Sequence, residues 1–283
     1  DAQTINRTIT GGGTLVSSGG NLTLNASGNA CDITVNSGTF FARGGGFSTA
    51  FDAGRMITIN AGATLDTVTH SMGSSVGGGG DVPKVTLNGG SWFFNNEQYI
   101  RELTMVAGST SGPGEVRTLG GSVYTVNAAA TSTTIANPVN LVNALSLVVN
   151  DGAAANDLLI SGNVGNGGAV TKSGAGKVVL TGTNTYSGAT TINAGIVQVG
   201  NGGTTGTTGT GNITNNADLV INRSDALTVA NTIGGTGNLT QSGAGTTTLG
   251  GTNTYSGDTT VTAGILVIDG DSLSDDSNLV LDG

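Results

Sequence analysis

Residues 171–199 read TKSGAGKVVLTGTNTYSGATTINAGIVQV, and residues 240–268 read TQSGAGTTTLGGTNTYSGDTTVTAGILVI. The two stretches align without a gap, position 171 on position 240 and so on to 199 on 268, and share 18 of 29 positions. A gap-free internal repeat of this kind is typical of solenoids and other repeat architectures. The repeat therefore predicts that the chain is built from similar units that stack on one another.

The apolar residues inside the repeat recur at a spacing of two, as at Val178 and Leu180 and again at Val197 and Val199. Gly-rich turns interrupt these runs, and this combination indicates short β-strands. The distance from one copy to the next corresponds to about three coils of about 23 residues each. In a parallel β-solenoid such coils stack at about 4.7–4.9 Å and bury their inner faces against their neighbours.

The composition supports one elongated all-β domain. The chain has 51 glycines, 3 prolines and only 10% charged residues, yet 36% of its residues are apolar. Collagen would need a glycine at every third position, and a disordered chain would lack the short apolar runs. We expect a single β-solenoid over residues 1–283, with irregular coils and aromatic-rich loops over 1–156 and the two repeats over 157–283.

A shorter signature recurs outside the long repeat, as ITVNSG at 33–38, ITINAG at 57–62 and VTLNGG at 85–90. The step from the second signature to the third is longer than the step from the first to the second, which indicates loops of different size on one edge of the solenoid. Stacked asparagines in such a signature can share side-chain hydrogen bonds. The turn-dense stretches 109–122 and 200–211 are predicted to be loops.

The charge pattern excludes several classes of function. The net charge is −9 and the nine basic residues are scattered, which argues against a nucleic-acid partner. No apolar run approaches the length of a membrane-spanning helix. His70 and Cys31 are single residues of their kinds, so a zinc site built from several His and Cys ligands is excluded. We expect no catalytic residue and no cofactor, and a buried, inert Cys31.

The acidic residues near the C-terminal end are the weak candidates for a metal site. They lack the Gly and the terminal Glu of an EF-hand loop, so a solvated acidic turn is the simpler interpretation. A weak Ca²⁺ site is the alternative. The four residues are Asp269, Asp271, Asp275 and Asp276.

The aromatic residues are concentrated in the N-terminal half. Residues 40–56 and 91–99 hold all six phenylalanines and the only tryptophan. One interpretation is an aromatic layer of the core or a cap. The other is an exposed platform that stacks on sugar rings or on a neighbouring subunit. The candidate interface residues are Phe40, Phe41, Trp92 and Phe93.

The sequence GAGKVVLTGTNTYSGATTINAGIVQVG resembles the autotransporter-associated β-strand repeat, also called the passenger-associated transport repeat. Two copies of that pattern lie at 174–200 and 243–269. The resemblance implies a right-handed parallel β-helix in a bacterial surface or secreted protein. The family carries no catalytic residues, so the resemblance implies none here.

Two functions are compatible with these features. The first is an extracellular structural β-solenoid, either a stalk, an adhesin shaft or a fibre subunit. Unpaired strand edges at the ends of such a solenoid would allow end-to-end self-association. The second is a module that binds or cleaves polysaccharide through the aromatic-rich residues 40–99, which would predict loss of glycan binding in a Trp92→Ala variant. A glycan or a cell surface is the expected partner in that case.

Overall fold

The computed structural model describes residues 2–7, 9, 12–25, 31–43, 55–68, 82–269 and 279–281. These residues form thirty β-strands, numbered β1 to β30 along the chain, and the described part of the chain contains no helix. The strands are arranged in three sheets. Glycine-rich turns and the absence of helical periodicity in the sequence agree with this all-β organisation.

The long sheet has fourteen strands, and almost every coil contributes one of them. In order they are β1 (Gln3–Ile5), β3 (Leu22–Leu24), β5 (Gly38–Ala42), β7 (Ala63–Thr67), β9 (Ser91–Phe94), β11 (Ser109–Ser111), β13 (Thr133–Ile135), β16 (Leu158–Ile160), β19 (Lys177–Leu180), β21 (Ile196–Val199), β23 (Asp218–Ile221), β26 (Asn238–Gln241), β28 (Thr259–Val261) and β30 (Leu279–Leu281).

The second sheet has thirteen strands and the short sheet has three. The second sheet holds β2 (Thr14–Ser17), β4 (Asp32–Val35), β6 (Met56–Asn60), β8 (Lys84–Asn88), β10 (Gln98–Val106), β12 (Val116–Val126), β15 (Leu145–Val149), β18 (Val170–Ser173), β20 (Thr190–Ile192), β22 (Ile213–Asn215) and β25 (Ile233–Gly234), with β14 (Val139–Asn140) beside β12 and β17 (Val164–Gly165) beside β14. The short sheet holds β24 (Leu227–Val229), β27 (Thr246–Leu249) and β29 (Ile265–Ile268).

The strand pairing confirms the predicted parallel β-solenoid. Neighbours within a sheet come from successive coils and pair in parallel, so like residues stack in columns. One inner column runs from coil to coil through five buried aliphatic residues. The transfer of each such side chain out of water stabilises the folded state by roughly 1.5–3 kcal/mol. The column consists of Leu158, Val178, Val197, Leu219 and Leu239.

Some of the coils are shorter than the repeat predicts. Thr171 in β18 pairs with Thr191, which pairs with Thr214, which pairs with Gly234, so three turns of the second sheet are complete before the second copy begins. Thr240, the equivalent of Thr171 in the second copy, lies in the long sheet. The copies are therefore about three coils apart, as the repeat predicts, but two of these coils are slightly shorter than the predicted length. The extra residues carry the second copy one sheet further around the solenoid.

Each copy nevertheless keeps its own internal pairing. Lys172 pairs with Ile192 in the first copy, and Gln241 pairs with Val261 in the second. The strand that follows also pairs alike, β19 with β21 and β27 with β29. The repeat is thus a unit of two stacked coil segments whose strands pair with each other. The same unit forms on the second and long sheets in the first copy and on the long and short sheets in the second copy.

Two of the local predictions have opposite outcomes. Residues 109–122 are not a loop, because β11 and most of β12 lie there, with Thr110 and Val116 buried in the interior. Hydrogen-bonded ladders on both sides outweigh the turn propensity of Gly, Ser and Pro there. Residues 200–211 do form a loop. The buried Arg223 holds it by donating to the carbonyl of Gly206 at 2.8 Å and to that of Thr204 at 2.7 Å.

The predicted stacking of asparagines is confirmed. Asn60 Nδ2 donates to Asn36 Oδ1 at 2.7 Å, and Asn88 Nδ2 donates to Asn60 Oδ1 at 3.1 Å. The loops absorb the unequal sequence steps, and the columns stay in register. Cys31 is buried as expected, and burial raises the pKa of its thiol. The division of the chain at residue 156 stays a prediction.

Candidate functional site

Each repeat buries a tyrosine whose hydroxyl group is hydrogen-bonded four residues further along the chain. Tyr186 Oη lies 2.7 Å from Thr190 Oγ1, and Tyr255 Oη lies 2.6 Å from Thr259 Oγ1. Both rings are fully buried, and burial raises the pKa of both hydroxyls. The spacing in Tyr-Ser-Gly-x-Thr is therefore the spacing that closes a side-chain hydrogen bond across a corner of the solenoid.

The asparagine two residues before each tyrosine joins neighbouring coils. Asn184 Oδ1 accepts from the backbone N–H of Val164 at 2.8 Å, and Asn253 Oδ1 accepts from that of Ile233 at 2.9 Å. Asn184 Nδ2 also donates to the carbonyl of Thr207 in the following coil at 2.7 Å. Corners lack ladder partners, so these amides satisfy backbone groups that would otherwise be buried alone.

A lysine points into the interior of the first repeat. Lys172 is 1% exposed, and its Nζ donates to the carbonyls of Ser173 at 3.1 Å, Gly174 at 2.7 Å and Ala194 at 2.9 Å. Burial lowers the pKa of this ammonium group to about 8, and the charge of Asp157 opposes the shift. The three carbonyls replace the water that the charged form loses.

The second repeat places an uncharged residue at the same position. Gln241 Nε2 donates to the carbonyl of Gly243 at 2.7 Å and more weakly to that of Gly245 at 3.3 Å. Its Oε1 accepts from Thr247 Oγ1 at 2.7 Å. The inward polar groups at this position are thus hydrogen-bonded within their own repeats. Gln241 bonds residues of its own coil, and Lys172 also reaches Ala194 in the next coil.

The structure separates the four candidate interface residues into two pairs. Phe40 and Trp92 are fully buried, and Trp92 Nε1 donates to Thr67 Oγ1 at 3.0 Å inside the core. Phe41 and Phe93 stand on the outer face of the long sheet and are half-buried. This alternation follows from the pleat of a strand. Phe40 and Trp92 cannot present their rings to a ligand, and an interface role for Phe41 and Phe93 stays a prediction.

Phe41 and Phe93 belong to a small outward group that we call the aromatic strip, defined as Phe41, Arg43, Asp66, Phe93 and Asn95. Phe41 pairs with Asp66, and Asp66 pairs with Phe93, so the three form one column across β5, β7 and β9. The Arg43 guanidinium lies 4.8 Å from the Phe41 ring centre and 2.9 Å from Asp66 Oδ1. Asn95 Nδ2 donates to the same oxygen at 2.7 Å.

A column of small hydroxyl side chains runs beside the strip on the same face. Its members are half-buried and follow one another in register from β5 to β13. Two neighbours in it are hydrogen-bonded, with 3.2 Å between their hydroxyl oxygens. This hydroxyl column consists of Thr39, Thr64, Ser91, Ser109 and Thr134.

A pair of glutamates lies near the start of β10 and β12. Arg117 Nη2 is 2.7 Å from Glu97 Oε2, and its Nε donates to Glu115. Its Nη1 also donates to the hydroxyl of Tyr99 at 3.1 Å. Glycoside hydrolysis requires one protonated and one ionised carboxyl group on either side of a sugar. Here both glutamates are ion-paired with the same arginine.

The structure describes one of the four candidate metal ligands. The structure describes Asp269, whereas Asp271, Asp275 and Asp276 lie outside the described residues, as does His70. Within the described ranges no three potential ligands among His, Cys, Asp and Glu come together. Calcium binding at the C-terminal acidic group stays a prediction.

The sequence interpretation missed the polar members of the strip. Arg43 and Asn95 each stand two positions after an outward phenylalanine, so the period of two already places them on the same face. Asp66 could not be placed beside them, because its position depends on the length of the loops between β5, β7 and β9. Loop lengths set the register between coils, and the sequence does not show where each loop begins.

Comparison with known proteins agrees with the repeat unit seen in the structure. The family model described as "Passenger-associated-transport-repeat" matches residues 170–199 and 239–268. The chain carries two passenger-associated transport repeats. Each match covers one four-strand unit, β18 to β21 in the first case and β26 to β29 in the second. The predicted resemblance is confirmed, and outside these units the described residues form other coils of the solenoid.

One curated relative carries the word adhesin in its name. The chain is 38% identical over 85 residues to the Adhesin BmaC autotransporter of Brucella suis biovar 1 (strain 1330), which is 29% of this chain and 2% of that protein. The chain therefore corresponds to a very small part of that relative's length. No solved structure matches the chain. Among the described residues, no helix is long and apolar enough to cross a membrane.

Proposed function

We propose that this chain is part of the passenger of a bacterial surface or secreted protein, where it acts as an extended shaft. The observation that carries the proposal is the long sheet, whose fourteen strands stack without interruption from β1 to β30. At about 4.8 Å per coil, this stack is about 60 Å long. A parallel stack of this length holds its two ends apart and exposes its sides.

The comparisons support the extracellular setting. Both repeats match a family model named for passenger transport, and the curated relative is named as an autotransporter adhesin. A non-catalytic role accords with the described polar clusters, since their charged groups are paired with each other or with backbone carbonyls. Localisation on intact cells tests the setting. Antibody labelling or protease cleavage from outside is expected, and protection until the cells are lysed would contradict it.

End-to-end association belongs to the same proposal. The terminal strands of the long sheet, β1 and β30, each pair on one side only among the described residues. Several side chains of β29 and β30 are exposed and apolar, with Leu281 exposed at 74%. A further parallel coil, from this chain's own continuation or from a second copy, would cover them.

Electron microscopy of the purified chain over a range of concentrations separates these roles. Single rods whose length matches the stack of coils, about 60 Å, support the shaft. Fibres with a subunit repeat of that length support a fibre subunit as well. A compact particle with no long axis would contradict both.

A further inference from the structure

We propose that the aromatic strip binds a linear, uncharged β-1,4-linked polysaccharide that lies along the solenoid axis. This site is on the side of the solenoid and goes beyond the shaft role, which concerns its length and its ends. The proposal rests on the placement of Phe41, Asp66 and Phe93 in one outward column of the long sheet.

The spacing of the two rings fits such a chain. Phe41 and Phe93 are two coils apart, which is about 9–10 Å along the axis. In an extended β-1,4-linked chain successive sugars are turned over, so every second sugar presents the same face to one side. Two rings separated by about the length of a disaccharide unit can therefore each stack on an equivalent sugar face. The intervening sugar then lies over Asp66.

The polar groups of the strip suit hydroxyl groups of a sugar. Both hydrogen bonds that the described residues donate to Asp66, from Arg43 and Asn95, go to Oδ1, which leaves Oδ2 as an acceptor for a sugar hydroxyl. The hydroxyl column supplies donors and acceptors along the other side of the chain. Because ladders and the Arg43–Asp66 ion pair fix these side chains, little conformational entropy remains to be lost on binding.

Charge favours a neutral ligand. Arg43 and Asp66 neutralise one another within the strip, and the chain as a whole carries a net charge of −9. An acidic polysaccharide would be repelled by that field, and the one cation among the five residues of the strip is already paired.

Packing within the sheet does not by itself explain why two phenylalanines lie on its outer face. Cross-strand aromatic pairs stabilise a sheet when the rings are direct neighbours. Here Asp66 separates Phe41 from Phe93, and the aromatic ring contact found in this region joins the buried Trp92 and Phe94 instead. An apolar protein partner would find two isolated rings around a half-buried ion pair, which is a poor match for the core of an interface.

The test is a calorimetric or NMR titration of the chain with cellohexaose and chitohexaose, with the α-linked and curved maltohexaose as comparison. We expect at least one β-1,4-linked hexamer to bind and maltohexaose not to bind. Phe41→Ala and Phe93→Ala should each weaken binding about tenfold, as the loss of one aromatic contact predicts. Val123→Ala, which removes an exposed apolar side chain from the second sheet, should leave the dissociation constant unchanged.

The fold of each variant is checked by circular dichroism and by its urea midpoint. If an alanine variant is unstable, Phe41→Leu and Phe93→Leu keep an apolar side chain but remove the flat ring, and they should weaken binding equally. Failure of both β-1,4-linked hexamers to bind the wild-type chain would overturn the proposal. Unchanged binding in a folded double variant would do so too. Rod length in electron micrographs is independent of these results, so the shaft role is judged separately.

Discussion

Replacement of individual tyrosines by phenylalanine tests whether the corner hydrogen bonds stabilise the solenoid. Tyr186→Phe removes the hydroxyl that lies 2.7 Å from Thr190 Oγ1, and Tyr255→Phe removes the one that lies 2.6 Å from Thr259 Oγ1. Both threonines are buried, so each would keep a hydroxyl group without this partner. A buried polar group left unsatisfied costs about 1–3 kcal/mol. We therefore expect either variant to lower the free energy of unfolding by about that amount.

Tyr124 provides the matched control within the same core. Its ring is also buried, but its hydroxyl has no hydrogen-bond partner among the described residues, and burial raises the pKa of that hydroxyl. It faces a small cavity lined by apolar side chains, among them Ile135 and Leu147. Tyr124→Phe removes a hydroxyl group that loses its contact with water on folding and gains no hydrogen bond in return. The variant should therefore be as stable as the wild type or more stable.

Urea unfolding of the three variants gives the measurement. The midpoint should fall in Tyr186→Phe and Tyr255→Phe at an unchanged slope, and it should stay or rise in Tyr124→Phe. An equal loss of stability in Tyr124→Phe and Tyr186→Phe would refute the reasoning, because ring packing rather than the hydrogen bond would then explain the loss.

Three further predictions concern the coils. The pKa of Lys172 falls from 10.5 to about 8 on folding, so between those pH values the unfolded chain binds more protons and the free energy of unfolding should rise with pH. In urea melts the wild type should gain about 3 kcal/mol of stability over Lys172→Gln between pH 7.5 and 10.5, and parallel pH profiles of the two proteins would contradict this. Gly195 has φ of +69° and a Cβ there would meet the carbonyl of Gly176, so Gly195→Ala should cost at least about 1 kcal/mol, whereas Gly203→Ala, in open space, should cost little in thermal melts. Asn60→Ala breaks hydrogen bonds to two stacked neighbours but is on the outer face, so it should cost only about 0.5–1.5 kcal/mol, and a loss above about 3 kcal/mol would show that the column matters more than its exposure suggests.

The fold class could be predicted because the same local sequence pattern recurs in many coils of a solenoid. The alternation at Val178 and Leu180, the repeat itself and the recurring Asn-x-Gly turns each specify a strand or a corner from nearby residues alone. The stacking of Asn36, Asn60 and Asn88 could be predicted for the same reason.

The number of residues in a coil could not be predicted in the same way. The offset between the two copies is a property of the sequence, whereas the length of a turn depends on how many residues the loops consume. The loop at 200–211 and the corner at Arg223 separate the two copies by more than three turns, and so equivalent strands of the two copies lie in different sheets.

The candidate site was predicted only in part. The sequence located the aromatic region, and the period of two separates Phe41 from Phe40 and Phe93 from Trp92. Which member of each pair faces outward depends on the side of the sheet that covers the core. The meeting of Arg43 with Asp66 depends on inter-coil register, which the sequence does not encode locally.

Disulfide trapping tests the parallel stacking and its register most directly. In a Cys31→Ala background, one variant carries cysteines at Thr171 and Thr191, which pair across neighbouring coils. A second variant carries them at Thr171 and Ala194, which the longer coil expected from the repeat would bring together. Paired residues in neighbouring strands are close enough for a disulfide. The structure predicts rapid cross-linking of the Thr171–Thr191 pair under mild oxidation and little of the other. Efficient cross-linking of the Thr171–Ala194 pair alone would contradict the coil register and the arrangement of the repeats that follows from it.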